Sequence, residues 1–316
     1  MRRVALIHNP VSGQSFFRRA KALKRAVELL RARGIEVDEL ETDGPGSARK
    51  LARAAMRNGY DTILACGGDG TVHEVLQSLV GTDVALGVVP LGTANALAQD
   101  LGLSKSPVNA VRKLLDATPT KIPVGRIFYH EKNGAERSCF FTVAAGIGAD
   151  ALLMASLDAE MKRRFGYVLY LIEATRIWAT NPFPLFHALF TLKASREKRE
   201  ADVSQLLAVR VRSFGGALRT LAPGATLRSE ALSLIAFKTR SRVRYLRFLL
   251  AVLAARHTFS GDVELLEASA VECRPRDGSK KPIYVEADGE VLGVLPARME
   301  IAPETLTLLI PSDAQP

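Results

Sequence analysis

Gly67-Gly68-Asp69-Gly70-Thr71 sets three glycines within four positions, which lets the backbone turn tightly and approach a ligand without a Cβ in the way. An apolar run, Thr62–Cys66, precedes the segment, and a helix-forming stretch, Val72–Val80, follows it. A helix beginning near Thr71 would direct its unpaired N–H groups and the positive end of its dipole at that ligand, an arrangement suited to phosphate. Thr71 and Glu74 also have the spacing of a capping box, so they read either as ligand contacts or as the start of the helix. Neither reading explains Asp69. A carboxylate inside an anion-binding loop makes sense if it holds Mg2+ or an ammonium group beside the phosphates.

Two further turns carry similar chemistry. Asn9-Pro10-Val11-Ser12-Gly13 follows the apolar run Val4–Ile7, and Pro90-Leu91-Gly92-Thr93-Ala94-Asn95 follows Ala85–Val89. Each puts small hydroxyl or amide side chains at the end of a strand and ahead of a helix, and three such turns on one sheet edge describe a nucleotide site. Near the end of the chain stands Val285-Glu286-Ala287-Asp288-Gly289-Glu290. As bare sequence, Asp-Gly between short apolar runs signals a hairpin turn.

The elements that must position these residues alternate over the first hundred or so positions. Strands are expected at Val4–Ile7, Ile35–Leu40, Thr62–Cys66 and Ala85–Val89. Helices are expected from Phe16 through Leu30, at Ser47–Arg57, at Val72–Val80 and at Ala94–Asp100. Such alternation implies a parallel sheet covered on both faces, with ligands at the carboxyl ends of its strands. From about residue 120, strand follows strand: Lys121–Phe128, Cys139–Ala144, Phe186–Leu192, Leu206–Val211, Leu232–Lys238 and Val263–Cys273, then shorter runs at Ile283–Ala287, Arg298–Ile301 and Leu306–Ile310. This pattern predicts an antiparallel sandwich or barrel. Helical insertions are expected at Met161–Thr180 and Arg242–Arg256, and the charged stretch Lys193–Asp202 reads as an exposed hairpin loop. The division is an α/β domain at 1–120, completed by 303–316, and a β domain at 121–302.

Composition narrows the partners. A net charge of +10 favours anions: nucleotide phosphates, nucleic acid or an acidic membrane surface. Three dispersed cysteines, Cys66, Cys139 and Cys273, give neither a disulfide framework nor a zinc spacing and are expected to be reduced thiols of a cytoplasmic protein. No stretch approaches the roughly 20 apolar residues that span a bilayer.

Together, Asn9–Gly13, Gly67–Thr71 and Pro90–Asn95 resemble the three N-terminal motifs of the diacylglycerol kinase catalytic family, which includes sphingosine and ceramide kinases and soluble bacterial lipid kinases. Similarity to the soluble bacterial branch runs through nearly the whole chain. The resemblance implies a Rossmann-like N-terminal domain, a C-terminal β-sandwich and an ATP- and Mg2+-dependent lipid kinase of phospholipid metabolism, with ATP in the interdomain cleft. It implies nucleotide contacts from Asn9, Ser12, Gly13, Thr42, Gly67, Gly68, Asp69, Gly70, Thr71 and Thr93, with Glu74, Gly92 and Asn95 in the same turns, and a catalytic Mg2+ on Asp69. In the family a D-G-E motif supplies the catalytic base, which falls here on Glu290 with Asp288 beside it. A lipid alcohol is a weak nucleophile, and a carboxylate that takes its proton fits the chemistry.

The chain departs from the family in one segment. Bacterial relatives often carry an acidic P-x-A-x-x-D-D-G stretch that binds a structural Mg2+, whereas here Pro223-Gly224-Ala225-Thr226-Leu227-Arg228-Ser229-Glu230 has arginine and serine at the aspartate positions. A second metal is therefore not expected.

The acceptor side admits two readings. From Arg210 to Arg256 there are ten basic residues and one acid, Glu230. Arg242–Leu250 mixes arginines with bulky apolar residues. Such a helix either rests on an anionic membrane or packs on the β domain with its arginines in solvent. Met161–Thr180, with its aromatic residues, invites the same two readings. The expected partners are a lipid substrate at a membrane surface with transient membrane contact, and no nucleic acid; a homodimer is compatible with the sequence. Gly146-Ile147-Gly148-Ala149-Asp150-Ala151 fits a dinucleotide fingerprint but lacks the βαβ surroundings that motif needs. Two rivals remain: a small-molecule kinase acting on NAD, and a non-catalytic binder of membranes or nucleic acid.

Overall fold

The computed structural model describes residues 1–9, 16–156, 172–213, 221–254, 261–278 and 281–314. Ser12 and Gly13, and residues 161–171 of the expected aromatic helix, lie outside them. The chain forms two compact units: Met1–Val124 with Pro303–Pro316, and Gly125–Arg212 with Gly216–Ala302.

In the first unit, β1 (Arg3–His8), β2 (Glu36–Glu41), β3 (Thr62–Gly67) and β4 (Ala85–Pro90) pair in parallel in the order β2-β1-β3-β4. Every residue of β3 and β4 is buried, without alternation, as expected of strands covered on both faces. The cover is helical. α1 (Phe16–Ala32) packs with α5 (Pro107–Leu115), and α2 (Ser47–Arg57) packs with α3 (Asp69–Leu79). The short α4 (Ala96–Asp100) follows β4. α5 was not anticipated, although its signals are present: Ser106 then Pro107 at the start, and Ala110, Val111 and Leu114 buried at helical spacing.

β5 (Thr118–His130) carries the chain into the second unit, where the remaining strands are β6 (Glu136–Phe141), β7 (Ala144–Ile147), β8 (Phe186–Leu192), β9 (Lys198–Val203), β10 (Gln205–Val209), β11 (Leu232–Phe237), β12 (Val263–Pro275), β13 (Tyr284–Ala287) and β14 (Glu290–Ile310). Among the described residues three helical pieces interrupt them: α6 (Ala149–Ser156), residues 172–180 (α7) and α8 (Arg242–Leu253). The antiparallel pairs β14–β13, β13–β7, β7–β10, β10–β11, β11–β12 and β12–β14 close on themselves, so the expected layers of strands are joined in a ring. Closure depends on β14, which pairs with β13 through residues 290–294 and with β12 through residues 297–300. Its last residues pair in parallel with β4 in the first unit, Leu308 opposite Leu86. Phe141, Phe186, Phe190, Val271 and Met299 fill the core of the β unit.

Two local expectations are corrected. The stretch Lys193–Asp202 is not all loop: residues 198–203 form β9, paired with β8. Charged side chains alternating outward are how an exposed edge strand avoids pairing with another chain. Arg298–Ile301 and Leu306–Ile310, read as separate runs, belong to the single strand β14.

Candidate functional site

The carboxyl ends of β1, β3 and β4 gather most of the predicted nucleotide residues. Asn9 follows β1 directly, and the Thr42 amide donates to the His8 carbonyl at 3.0 Å, which brings buried Thr42 beside it. After β3, the helix starts two residues earlier than expected: Gly68 is the N-cap of α3, and Asp69 and Gly70 lie in its first turn. The first N–H groups of an α-helix have no acceptor within the helix itself and are the donors a phosphate would use.

The second Gly-rich turn lies directly on the first. A Cβ on Gly92 would stand 2.5 Å from the Gly68 Cα, so only glycine lets these backbones meet. The Leu91 amide donates to the Gly67 carbonyl at 2.8 Å. Asn95, in the left-handed region at φ 52°, accepts from the Gly92 amide at 2.9 Å and donates to the Gly92 carbonyl at 2.8 Å. Asp69 ties the two turns together, because its carboxylate accepts from the backbone amides of Asn95 and Ala96, each at 2.8 Å. It thus faces the start of α4 while sitting in the first turn of α3. Thr93 is exposed on the outer turn.

The capping-box reading of Thr71 and Glu74 is overturned. Thr71 lies inside the helix, its hydroxyl packed where a Gly67 side chain would be. Glu74 accepts from the amides of Gly46 and Ala48 at 2.7 and 3.0 Å, and so caps α2 instead. α2 begins after a left-handed glycine with no side-chain cap of its own, and a carboxylate from the packed neighbour supplies the missing acceptors.

In the second unit the Asp-Gly pair forms the β13–β14 turn. Asp288 and Gly289 have φ 49° and 85°, the two positive values of a type I′ hairpin, and Ala287 pairs with Glu290. The buried Asp288 carboxylate accepts from the amides of Thr142, Val143 and Ala144 at 3.1, 2.8 and 3.1 Å. It positions the hairpin. Glu290 is the exposed carboxylate of the motif and borders a cleft of about 610 Å3 with Lys132, Met154 and Tyr284.

Beside this hairpin lies an acid pair that sequence reasoning missed. Buried Glu286 and half-buried Asp150, at the start of α6, converge over Gly146, where a Cβ would overlap an Asp150 carboxylate oxygen and come within 2.9 Å of Glu286 Oε1. Asp150 Oδ1 is shielded from solvent and has no hydrogen-bond partner among the described residues. Burial pushes the Asp150 carboxyl up to about 7. Burial, then the Asp150 charge, holds Glu286 well above the usual carboxylate range, and Asp288 and Glu290 add to the same effect. The available signals were a glutamate inside a buried strand and the Gly146–Ala151 segment that fits a dinucleotide fingerprint. That segment does run from strand to helix, but β7 is antiparallel to both neighbours and forms no βαβ unit.

Carboxyls with raised values favour the folded state while protonated. Their contribution is complete below the ordinary carboxylate range and is lost as pH rises through about 7. For Asp150 alone the shift corresponds to at most about 4 kcal/mol. An Asp150→Asn protein is therefore expected to lose less thermal stability than the unchanged chain between mildly acidic and mildly alkaline buffer; parallel melting profiles would refute the pairing.

Near Asp288, the segment that departs from the acidic metal-binding pattern is held by a guanidinium. Fully buried Arg210 donates to the carbonyls of Leu227 and Ser229 at 3.0 and 3.3 Å. Burial lowers Arg210 to about 10, and the Asp288 charge opposes that shift. A fixed cation therefore sits within this loop.

Residues 3–127 match the family described as diacylglycerol kinase catalytic domain, and residues 142–310 match the YegS C-terminal NAD kinase beta sandwich-like domain. A diacylglycerol kinase of Mycobacterium tuberculosis is 31% identical over 314 residues, covering 98% of this chain and 95% of that protein. A crystal structure of a diacylglycerol kinase from Bacillus anthracis superposes with a TM-score of 0.69 at 17% identity, over 99% of this chain and 98% of the other. Yeast NADH kinase complexed with NADH superposes at 0.53 and 12% identity, over 99% and 84% of the two chains, a likeness of fold alone.

Proposed function

Because the chain belongs to the diacylglycerol kinase family of lipid kinases, we propose that it transfers the γ-phosphate of ATP, with Mg2+, to the hydroxyl of diacylglycerol or a related lipid. The observation that carries the nucleotide half is the backbone contact between Gly68 and Gly92 at the N-terminus of α3. Amides of that first turn receive the phosphates, flanked by Asn9, Thr42 and Thr93, with Ser12 and Gly13 completing the set.

Asp69 fits a metal that arrives with the nucleotide. Its two oxygens accept the Asn95 and Ala96 amides beside the phosphate turn, and Mg2+ in such sites takes only one or two carboxylates beside the phosphates. Bound there, the ion neutralises charge on the phosphates.

The lipid hydroxyl attacks the γ-phosphorus, its proton passes to Glu290, and ADP leaves. Asp288 holds the turn that carries Glu290. The test is ATP consumption with Mg2+ across diacylglycerol, monoacylglycerol, phosphatidylglycerol, sphingosine, ceramide and NAD. Phosphate is expected on a lipid alcohol and not on NAD. Phosphorylation of NAD would replace this reading with the small-molecule one, and nucleotide binding with no acceptor turned over would leave only the phosphate site.

A further inference from the structure

The two faces of α8 are built for different surroundings. Its inner face is fixed by aromatic packing: Tyr245 stacks on Phe183 and Phe237 at centroid distances of 4.3 and 4.8 Å, and its hydroxyl meets Ser204 Oγ at 2.7 Å. Its outer face exposes Val243 by 64%, Leu246 by 39%, Leu249 by 45% and Leu250 by 55%. Steps of three and four residues put these four on one stripe of the helix. Exposed Arg242 stands at the stripe's N-terminal end and exposed Arg247 along its edge. Soluble surfaces scatter single apolar residues; four in one stripe mark a contact.

We propose that this face of α8 docks on an anionic lipid bilayer, lying in the plane of the interface with its leucines among the acyl chains and Arg242 and Arg247 at the headgroups. Charge chooses this occupant. A second copy of the chain laid on the same stripe would bring the two sets of arginines together, and nucleic acid would leave the leucines without partners. An anionic bilayer satisfies both kinds of side chain. Trp178 of α7 supports the placement, since its indole N–H donates to the Arg242 carbonyl at 3.0 Å and sets an amphipathic ring at the end of the stripe. Among the described residues no helix is long and apolar enough to cross a membrane, so the contact lies on the surface.

This inference goes beyond the lipid-acceptor reading and needs no turnover to test. The full chain is floated with vesicles of phosphatidylcholine, with or without phosphatidylglycerol, at low and high salt. It is expected to float with the anionic vesicles and to release partly as salt rises. Leu246→Gln with Leu250→Gln should weaken binding at least about tenfold, and Arg247→Gln about fivefold. Both proteins should melt like the unchanged chain, because the altered side chains are exposed. An unchanged chain that stays with the soluble fraction, or a leucine variant that floats equally well, overturns the proposal. So does a dimer in solution that becomes a monomer on the leucine changes, which would assign the face to a second copy. Failure of the kinase reading would appear separately, as vesicle binding without phosphate transfer.

Discussion

A Glu290→Gln protein is expected to bind ATP like the unchanged chain and to transfer phosphate about 10²–10⁴ times more slowly. Glutamine keeps the size and polarity of the side chain and removes its ability to accept the hydroxyl proton. Glu290 suits such a test because it is the exposed carboxylate of the D-G-E turn, whereas Asp288 is buried under three backbone amides. The two carboxylates should therefore fail in different ways. Glu290→Gln should leave the melting temperature unchanged, since no hydrogen bond to buried backbone is lost. Asp288→Ala should lower it, because stranded buried donors cost about 1–3 kcal/mol each. Single-turnover kinetics at saturating ATP separate binding from the transfer step. A Glu290→Gln protein with a near-normal transfer rate would remove the base assignment while leaving the nucleotide site untouched.

An Asp69→Ala protein is expected to lose both stability and nucleotide affinity. Its carboxylate is the acceptor for the Asn95 and Ala96 amides, and removing it strands two donors at a cost on the order of 2–5 kcal/mol. Nucleotide affinity should fall by more than about tenfold, because the turn after β4 would no longer be held against Gly68 and any metal would lose its carboxylate. Thermal unfolding and titration with a fluorescent ATP analogue measure the two losses. Asp69→Asn sharpens the test: it can accept one amide but must face the other with its own N–H, so its stability should be intermediate. Unchanged melting in both variants would show that Asp69 does not hold the turns together.

The alternation of apolar runs and helical patterns, the change of texture near residue 120 and the turns after β3 and β4 were all readable because they depend on local rules. A glycine that permits close approach, an Asp-Gly hairpin and a strand buried on both faces leave their marks within a few residues of themselves. β14 was legible only in pieces, since Pro303-Glu304-Thr305 breaks the apolar pattern, and its pairing with both β12 and β13 involves residues far apart in the chain.

The partners of the acidic side chains were not legible for the same reason. Thr71 and Glu74 have the spacing of a local cap, yet Glu74 caps α2, because packing brings that helix's unpaired amides within reach. Asp69 had been assigned by chemistry alone, and its bonds to Asn95 and Ala96 span a separation that no spacing rule covers. Glu286 and Asp150 form a pair only because β13 lies against β7 and Gly146 leaves room for both carboxyls. By itself the sequence determined which turns could bind phosphate and which motif could carry a base, since backbone freedom and residue type are local properties. Only the tertiary structure decided which carboxylates clamp the backbone, which two converge over Gly146 and which face of α8 is exposed, because burial and charge proximity arise when distant segments meet.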